Sequence, residues 1–245
     1  MKRTFATLLV TTLIAFGGRA ASASPVFSFN INGTALDAAM LNCAAAGNQT
    51  HCSGANLQGN GFELASWQFV LDPDPTIAGS FTLINLSATT QLFTVAASLG
   101  VVPVSGPLSI SGYVGAGTLT DLDGGGATLS GVASPLYAAV IDGATVHTLL
   151  DPPYSYTVVP GVGGAPGAPV TIPMVSFGPQ GLNQPIGSFI GVSFAGFSLT
   201  SHDQIALPFG FDAQPVSQPP VPEPASLLLL SSGLAAFAAR RRRSR

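Results

Sequence analysis

Asp121-Leu122-Asp123 opens a glycine run, Gly124-Gly125-Gly126. In an extended segment side chains two positions apart share a face. Both carboxylates then point the same way, and the flexible turn behind them can offer backbone carbonyls. That is part of the all-oxygen ligand chemistry of calcium, although the third polar ligand and terminal Glu of an EF-hand loop are missing. Asp121 and Asp123 are the candidate metal ligands, and Ca2+ is the only cofactor suggested. The simpler reading is an Asp-Gly hairpin turn joining the run Leu108 to Leu119 to the run Ala127 to Val132, which needs residues at positive φ and nothing more.

Other catalytic chemistry has little to work with. The only imidazoles are His51, His147 and His202. A Ser-His-Asp arrangement would have to pair His147 or His202 with a distant serine, and no Gly-x-Ser-x-Gly pentapeptide occurs. His202-Asp203 reads as a polar turn before the strand Gln204 to Phe211. Asp72 and Asp74 alternate with prolines in a stiff turn, whereas a glycosidase needs two carboxyls at a set separation in a cleft. Cys43 and Cys52 lie nine apart. A set of Cys43, His51 and Cys52 has only three ligands, two of them adjacent, unlike the spaced pairs of zinc sites. A disulfide is the expectation for an exported chain.

The charge distribution removes whole function classes. All eight Lys and Arg fall at the ends of the chain, at Lys2, Arg3 and Arg19 and again from Arg240 onward, while all eleven acids lie between them, ten of these in the body at 24–220. A body with no cationic side chain cannot neutralise phosphates, which excludes nucleic acid and anionic lipid headgroups as partners. Salt bridges to Lys or Arg are likewise impossible there, so stability must come from apolar burial and hydrogen bonds.

The elements that must position these residues are strands. With 29 Gly and 20 Pro among 245 residues, long helices would be interrupted too often to persist. Phe27, Phe29 and Ile31 alternate with Ser28, Asn30 and Asn32, which gives one apolar face. Phe62 to Leu71, Thr76 to Ile84, Gln91 to Val102, Leu108 to Leu119 and Ala127 to Val132 follow at spacings near ten residues, separated by turn residues. In Gly187 to Leu199 the apolar phase slips at Ala195-Gly196, which predicts a β-bulge. One helix competes with a disulfide-tethered loop, from Thr34 as cap, with Asp37 three residues on, to Gly47 as stop. Asp151 to Gly187, with its many prolines, is expected to be an extended loop or irregular hairpin. The fold class is all-β, a β-sandwich or jelly-roll-like body.

Both ends read as transport signals. Lys2 and Arg3 precede an apolar run from Phe5 to Phe16, and Ala21-Ser22-Ala23 supplies small residues for cleavage after Ala23. At the other end come Val221-Pro222-Glu223-Pro224-Ala225-Ser226, an apolar stretch from Leu227 to Ala239, and Arg240, Arg241, Arg242 and Arg243. The proline pair keeps Glu223 extended. The apolar stretch is a short membrane helix, and the arginines hold the cytoplasmic side as a stop-transfer cluster. The chain thus divides into a signal peptide with its helix at 1–23, a body at 24–220 and a sorting signal at 221–245.

VPEPAS, the apolar stretch and RRRR, in that order, resemble the PEP-CTERM sorting signal of exported bacterial proteins. The resemblance covers about a tenth of the chain. It implies that an exosortase, a membrane-embedded cysteine peptidase, recognises Pro222, Glu223 and Pro224. It further implies secretion through signal peptidase and the general export machinery of a Gram-negative bacterium. Membrane contact would occur only through the C-terminal helix before processing. The function expected on this basis is that of a non-enzymatic surface or extracellular-matrix protein associated with exopolysaccharide or biofilm. The alternatives are a calcium-assisted carbohydrate-binding module, motivated by the acidic, Trp67-containing body, and a secreted hydrolase.

Overall fold

In the computed structural model, residues 27–216 are described. The signal helix and the C-terminal membrane helix expected from the sequence lie outside them, as do Ala21, Ala23, Pro222, Glu223, Pro224 and the arginines 240–243. Seventeen strands and one short 3-10 turn, Val162–Gly164, make up the regular structure of the described residues. They are β1 Phe27–Ile31, β2 Thr34–Leu36, β3 Cys43–Ala46, β4 Gln49–Gly59, β5 Phe62–Asp72, β6 Thr76–Asn85, β7 Gln91–Gly100, β8 Leu108–Val114 and β9 Gly117–Thr120. They continue as β10 Ala127–Gly131, β11 Tyr137–Ile141, β12 Ala144–Leu149, β13 Tyr154–Val158, β14 Val170–Ile172, β15 Val175–Leu182, β16 Phe189–Leu199 and β17 Gln204–Pro215.

These strands form two antiparallel sheets in a β-sandwich-like arrangement. One runs β12-β11-β16-β7-β1-β2, with β10 and β13 attached to β16. The other runs β14-β9-β17-β6-β5-β4-β3, with β8 and β15 attached to β17. In each sheet one long strand shares an edge between two shorter ones: β16 pairs with β11 and then β10, and β17 with β9 and then β8. The expected run Leu108 to Leu119 is therefore two strands. It breaks at Gly115 and Ala116, both at positive φ.

Alternation along the strands places one core between the sheets. Phe29 and Phe194 from the first sheet meet Phe69, Phe81 and Phe209 from the second, all essentially fully buried. Phe81 stands edge-on to Phe194 with ring centroids 5.2 Å apart, and Phe29 lies 4.9 Å from Phe69. Such pairs add to the hydrophobic gain of burying the rings. Tyr137 of β11 spans the core, and its hydroxyl donates to the Gly210 carbonyl of β17 at 2.8 Å.

The expected bulge is present. The pairing of β16 with β7 shifts register between Phe194 and Phe197, leaving Ala195 and Gly196 opposite Thr94. Gly196 adopts φ +67°, and the extra residue returns Phe197 and Leu199 to the core face. Two-residue turns with positive φ at both centres join β1 to β2 at Asn32-Gly33 and β11 to β12 at Asp142-Gly143.

Two expectations are corrected. Thr34 to Gly47 is not a helix but β2, a turn, and β3. Asp37 Oδ1 does accept a cap-like bond from Met40 N at 2.9 Å, yet it closes only a turn. Alanine's helix preference is worth little per residue, and an isolated helix of this length is marginal. The pairing of β3 with β4 outweighs it, with Cys43 directly opposite Cys52 and bonded to it. The second correction concerns Asp151 to Gly187, which contains β13, β14 and β15. Its prolines lie before, between or after these strands, or at the irregularity between Phe177 and Gln180, where a missing amide costs the ladder least.

Candidate functional site

At one end of the sandwich three segments converge. The connection 121–126 leads from β9 in one sheet to β10 in the other, so the expected Asp-Gly hairpin at Asp121 to Gly126 is not formed. The strands on either side belong to different sheets, and the connection must cross between them. The turn 200–203 likewise carries the chain from β16 to β17. The loop following the 3-10 turn brings Gly167 alongside.

One carboxylate oxygen from each of Asp121, Asp123 and Asp203 lies within 4.8 Å of the other two. Asp121 is buried, with Oδ1 accepting from Gly124 N at 2.8 Å, and Oδ2 from Gly126 N at 3.1 Å and Gly167 N at 3.0 Å. This explains the glycines. The backbone folds around the carboxylate and brings its amides inward. Asp123 is exposed, and its Oδ1 accepts from Gly125 N at 2.8 Å. Asp203 is wholly buried. The Thr200 hydroxyl donates to its Oδ2, while Oδ1 has no hydrogen-bond partner.

The electrostatics of the two buried acids diverge. Burial alone would raise the Asp121 carboxyl, but the amides of Gly167, Gly124, Gly126 and Asp123 outweigh it and hold the group below the usual range. For Asp203 burial is the largest influence and pushes it up. The Thr200 hydroxyl and Leu122 amide oppose this, while repulsion from Asp123 and Asp121 reinforces it. No Lys or Arg occurs anywhere in the body to offset the cluster. Among the described residues the only cationic candidate beside it is His202, whose Nδ1 lies 3.9 Å from Asp123 Oδ2. A buried carboxyl with one oxygen unpartnered, clustered with two more carboxylates, is an unbalanced arrangement that a bound cation would satisfy.

The remaining candidates resolve differently. Ser201 and His202 are bonded, but Ser201 Oγ donates to the Ser87 carbonyl at 2.9 Å and meets His202 at Nδ1, 2.8 Å away. Asp123 faces that same nitrogen. A triad needs the serine and the carboxylate on opposite ring nitrogens, and these three residues do not meet that requirement. His147 stacks on Phe177 at 3.9 Å and shares a bond with Gln180. Asp72 is occupied by Gln49 Nε2 and by the amide of Asp74. Trp67 lies buried across Gly54, with its indole N–H given to the Leu41 carbonyl at 2.8 Å, so it presents no open ring face to a sugar.

Asp203, Thr200 and Asn85 complete this end of the fold without having been singled out as ligands or supports. Asn85 is fully buried, and its Nδ2 donates to the carbonyls of Thr89, Leu199 and Thr200, which fixes the end of β16. Asp203 stands immediately before an apolar strand. That is also a common place for a turn residue, so the sequence carried no sign that its side chain faces inward.

A search of the curated proteins finds no match to this chain. Residues 220–243 match the PEP-CTERM protein-sorting motif. The match includes Pro222, Glu223 and Pro224 as well as Arg240 to Arg243. The chain therefore carries a C-terminal PEP-CTERM sorting motif, which implies exosortase-dependent export to the surface or exterior of a Gram-negative cell.

Proposed function

We propose that this protein is a non-enzymatic cargo of the exosortase route. Its body, released from both terminal signals, serves at the cell surface or in the extracellular matrix in association with exopolysaccharide. Signal peptidase removes residues 1–23. The apolar stretch and the arginines then hold the chain transiently in the inner membrane while exosortase acts near Pro222-Glu223-Pro224. The observation that carries the reading is the sorting motif at 220–243.

The body supports this reading in three ways. A Cys43–Cys52 disulfide suits an oxidising compartment. The stability of the fold rests on a buried aromatic core rather than on salt-sensitive ion pairs. Its uniformly acidic charge disfavours adhesion to anionic membrane surfaces, which keeps a released cargo free of the membrane.

The test is intact-mass analysis of the exported protein from host cells with and without exosortase. The expected product begins at Ser24, lacks the residues beyond the Pro-Glu-Pro region, and co-sediments with the polysaccharide matrix. Recovery of an exported species bearing the full tail would overturn the processing. A processed species found wholly in the polysaccharide-free fraction would overturn the matrix association.

A further inference from the structure

We propose that Asp121, Asp123 and Asp203 hold one calcium ion at the end of the sandwich, where it ties the inter-sheet connection 121–126 to the turn 200–203. The proposal goes beyond the export reading and does not depend on it.

Two independent observations meet at this point. The first is the convergence of three carboxylates within 4.8 Å, brought together by two segments that each pass from one sheet to the other. The second is Asp203, which is completely buried while its Oδ1 makes no hydrogen bond of normal geometry, although the Leu122 amide lies near the carboxyl. Folding does not normally strand a carboxylate oxygen in this way, because the lost hydration is not returned. Asp121, equally buried, is instead supplied with three amide donors, so the fold is able to satisfy a carboxylate here. Asp203 Oδ1 is left without such a donor, in a residue that also offers a carboxylate oxygen to the other two acids.

The donors also select the ion. Asp121, Asp123 and Asp203 each contribute one carboxylate oxygen, and an oxygen that already accepts an amide keeps a second lone pair. All three are hard oxygen ligands, with no thiolate, and the nearest imidazole nitrogen is already bonded to Ser201. Such a set suits calcium or magnesium rather than zinc. Calcium tolerates an irregular set of six to eight oxygens completed by water and carbonyls, whereas magnesium demands a near-ideal octahedron. The ion would pair with all three carboxylates at once, in a body that has no Lys or Arg to do so.

The experiment uses the full-length protein in mild detergent, freed of metal by chelation and then titrated with CaCl2 in a calorimeter and in thermal melts. The expected affinity is about 0.1–1 mM, the range of extracellular calcium modules, with the melting temperature rising as calcium is added. Asp123→Asn, at an exposed position, should weaken the calcium response at least ~10-fold, the effect of losing one charged ligand. In chelator it should melt at the same temperature as the parent or higher, because a like charge has been removed. Asp203→Asn should abolish the response, and if that variant fails to fold, Asp123→Asn decides the matter. Asp74→Asn, away from the cluster, should respond as the parent does. Absence of both heat and thermal shift up to about 10 mM CaCl2, roughly tenfold above the weakest affinity expected, would overturn the proposal. So would an undiminished response in Asp123→Asn, or an equal response to MgCl2.

Discussion

Breaking the Cys43–Cys52 bond should lower stability by an amount that follows from its place in the chain. The two residues face one another across the β3–β4 pair and are separated by nine positions. The chain-entropy relation for a closed loop of that length gives about 2.6 kcal/mol at 25 °C, through restriction of the unfolded state. For a β domain of this size, with a urea dependence of about 2–3 kcal/mol/M, the midpoint should fall by roughly 1 M. The melting temperature should fall by about 5–10 °C. Trp67 is the natural reporter. It is the only tryptophan in the chain, and its indole bonds the Leu41 carbonyl two residues before Cys43. Urea titrations followed by its fluorescence, with and without reductant, give the shift, and a mass gain of two hydrogens proves reduction. A Cys43→Ala, Cys52→Ala double variant should lose at least as much, because Cys52 is fully buried and its truncation also leaves a void. An unchanged midpoint in the fully reduced protein would refute the reasoning. The stability at issue becomes available only once the chain reaches an oxidising compartment.

Phe81→Ala should be the more damaging change, costing about 3–5 kcal/mol. Its ring contacts Phe29 and Phe194 of the opposite sheet and Phe209 of its own, and calorimetric melts showing a loss below ~1 kcal/mol would contradict that central role. Asp142 gives a pH signature. Burial pushes its carboxyl up, but the amides of Gly187 and Phe189 and the hydroxyl and amide of Ser188 together hold it below the usual range. A depressed folded-state value stabilises above the unfolded pKa of about 3.9, and that contribution disappears as pH falls through the folded value. Asp142→Asn should therefore cost about 1 kcal/mol near neutrality, after allowance for solvent screening. The difference from the parent should narrow below about pH 4. Urea midpoints across that range check this, and a gap that widens with acid would reverse the assignment.

Much of the fold was legible because strand chemistry is local. The alternation in Phe27 to Ile31, the slip at Ala195-Gly196 and the position of β17 can all be read from neighbours two residues apart, and each appears in the structure. Glycine-bearing turns were harder to place. The Asp-Gly pair that closes a hairpin is Asp142-Gly143, whereas Asp123-Gly124 lies in a connection between sheets. A turn residue reports that the chain bends but says nothing about which strand it bends toward. The Ala-rich segment 34–47 failed for a related reason. Its local preference was weak, and a partner strand beginning two residues beyond Gly47 decided the outcome.

The sorting motif and the charge character of the body are legible without any folding, because a linear motif and the absence of Lys and Arg between positions 19 and 240 can be read directly from the chain. The sequence also supplied two of the three clustered acids, since Asp121 and Asp123 are near neighbours in the chain. Only the tertiary structure brought Asp203 to them, from about 80 residues away, through two connections that cross between the sheets. Whether a carboxylate is solvated or buried without a partner depends on what packs around it, and that is decided by contacts between segments remote in sequence.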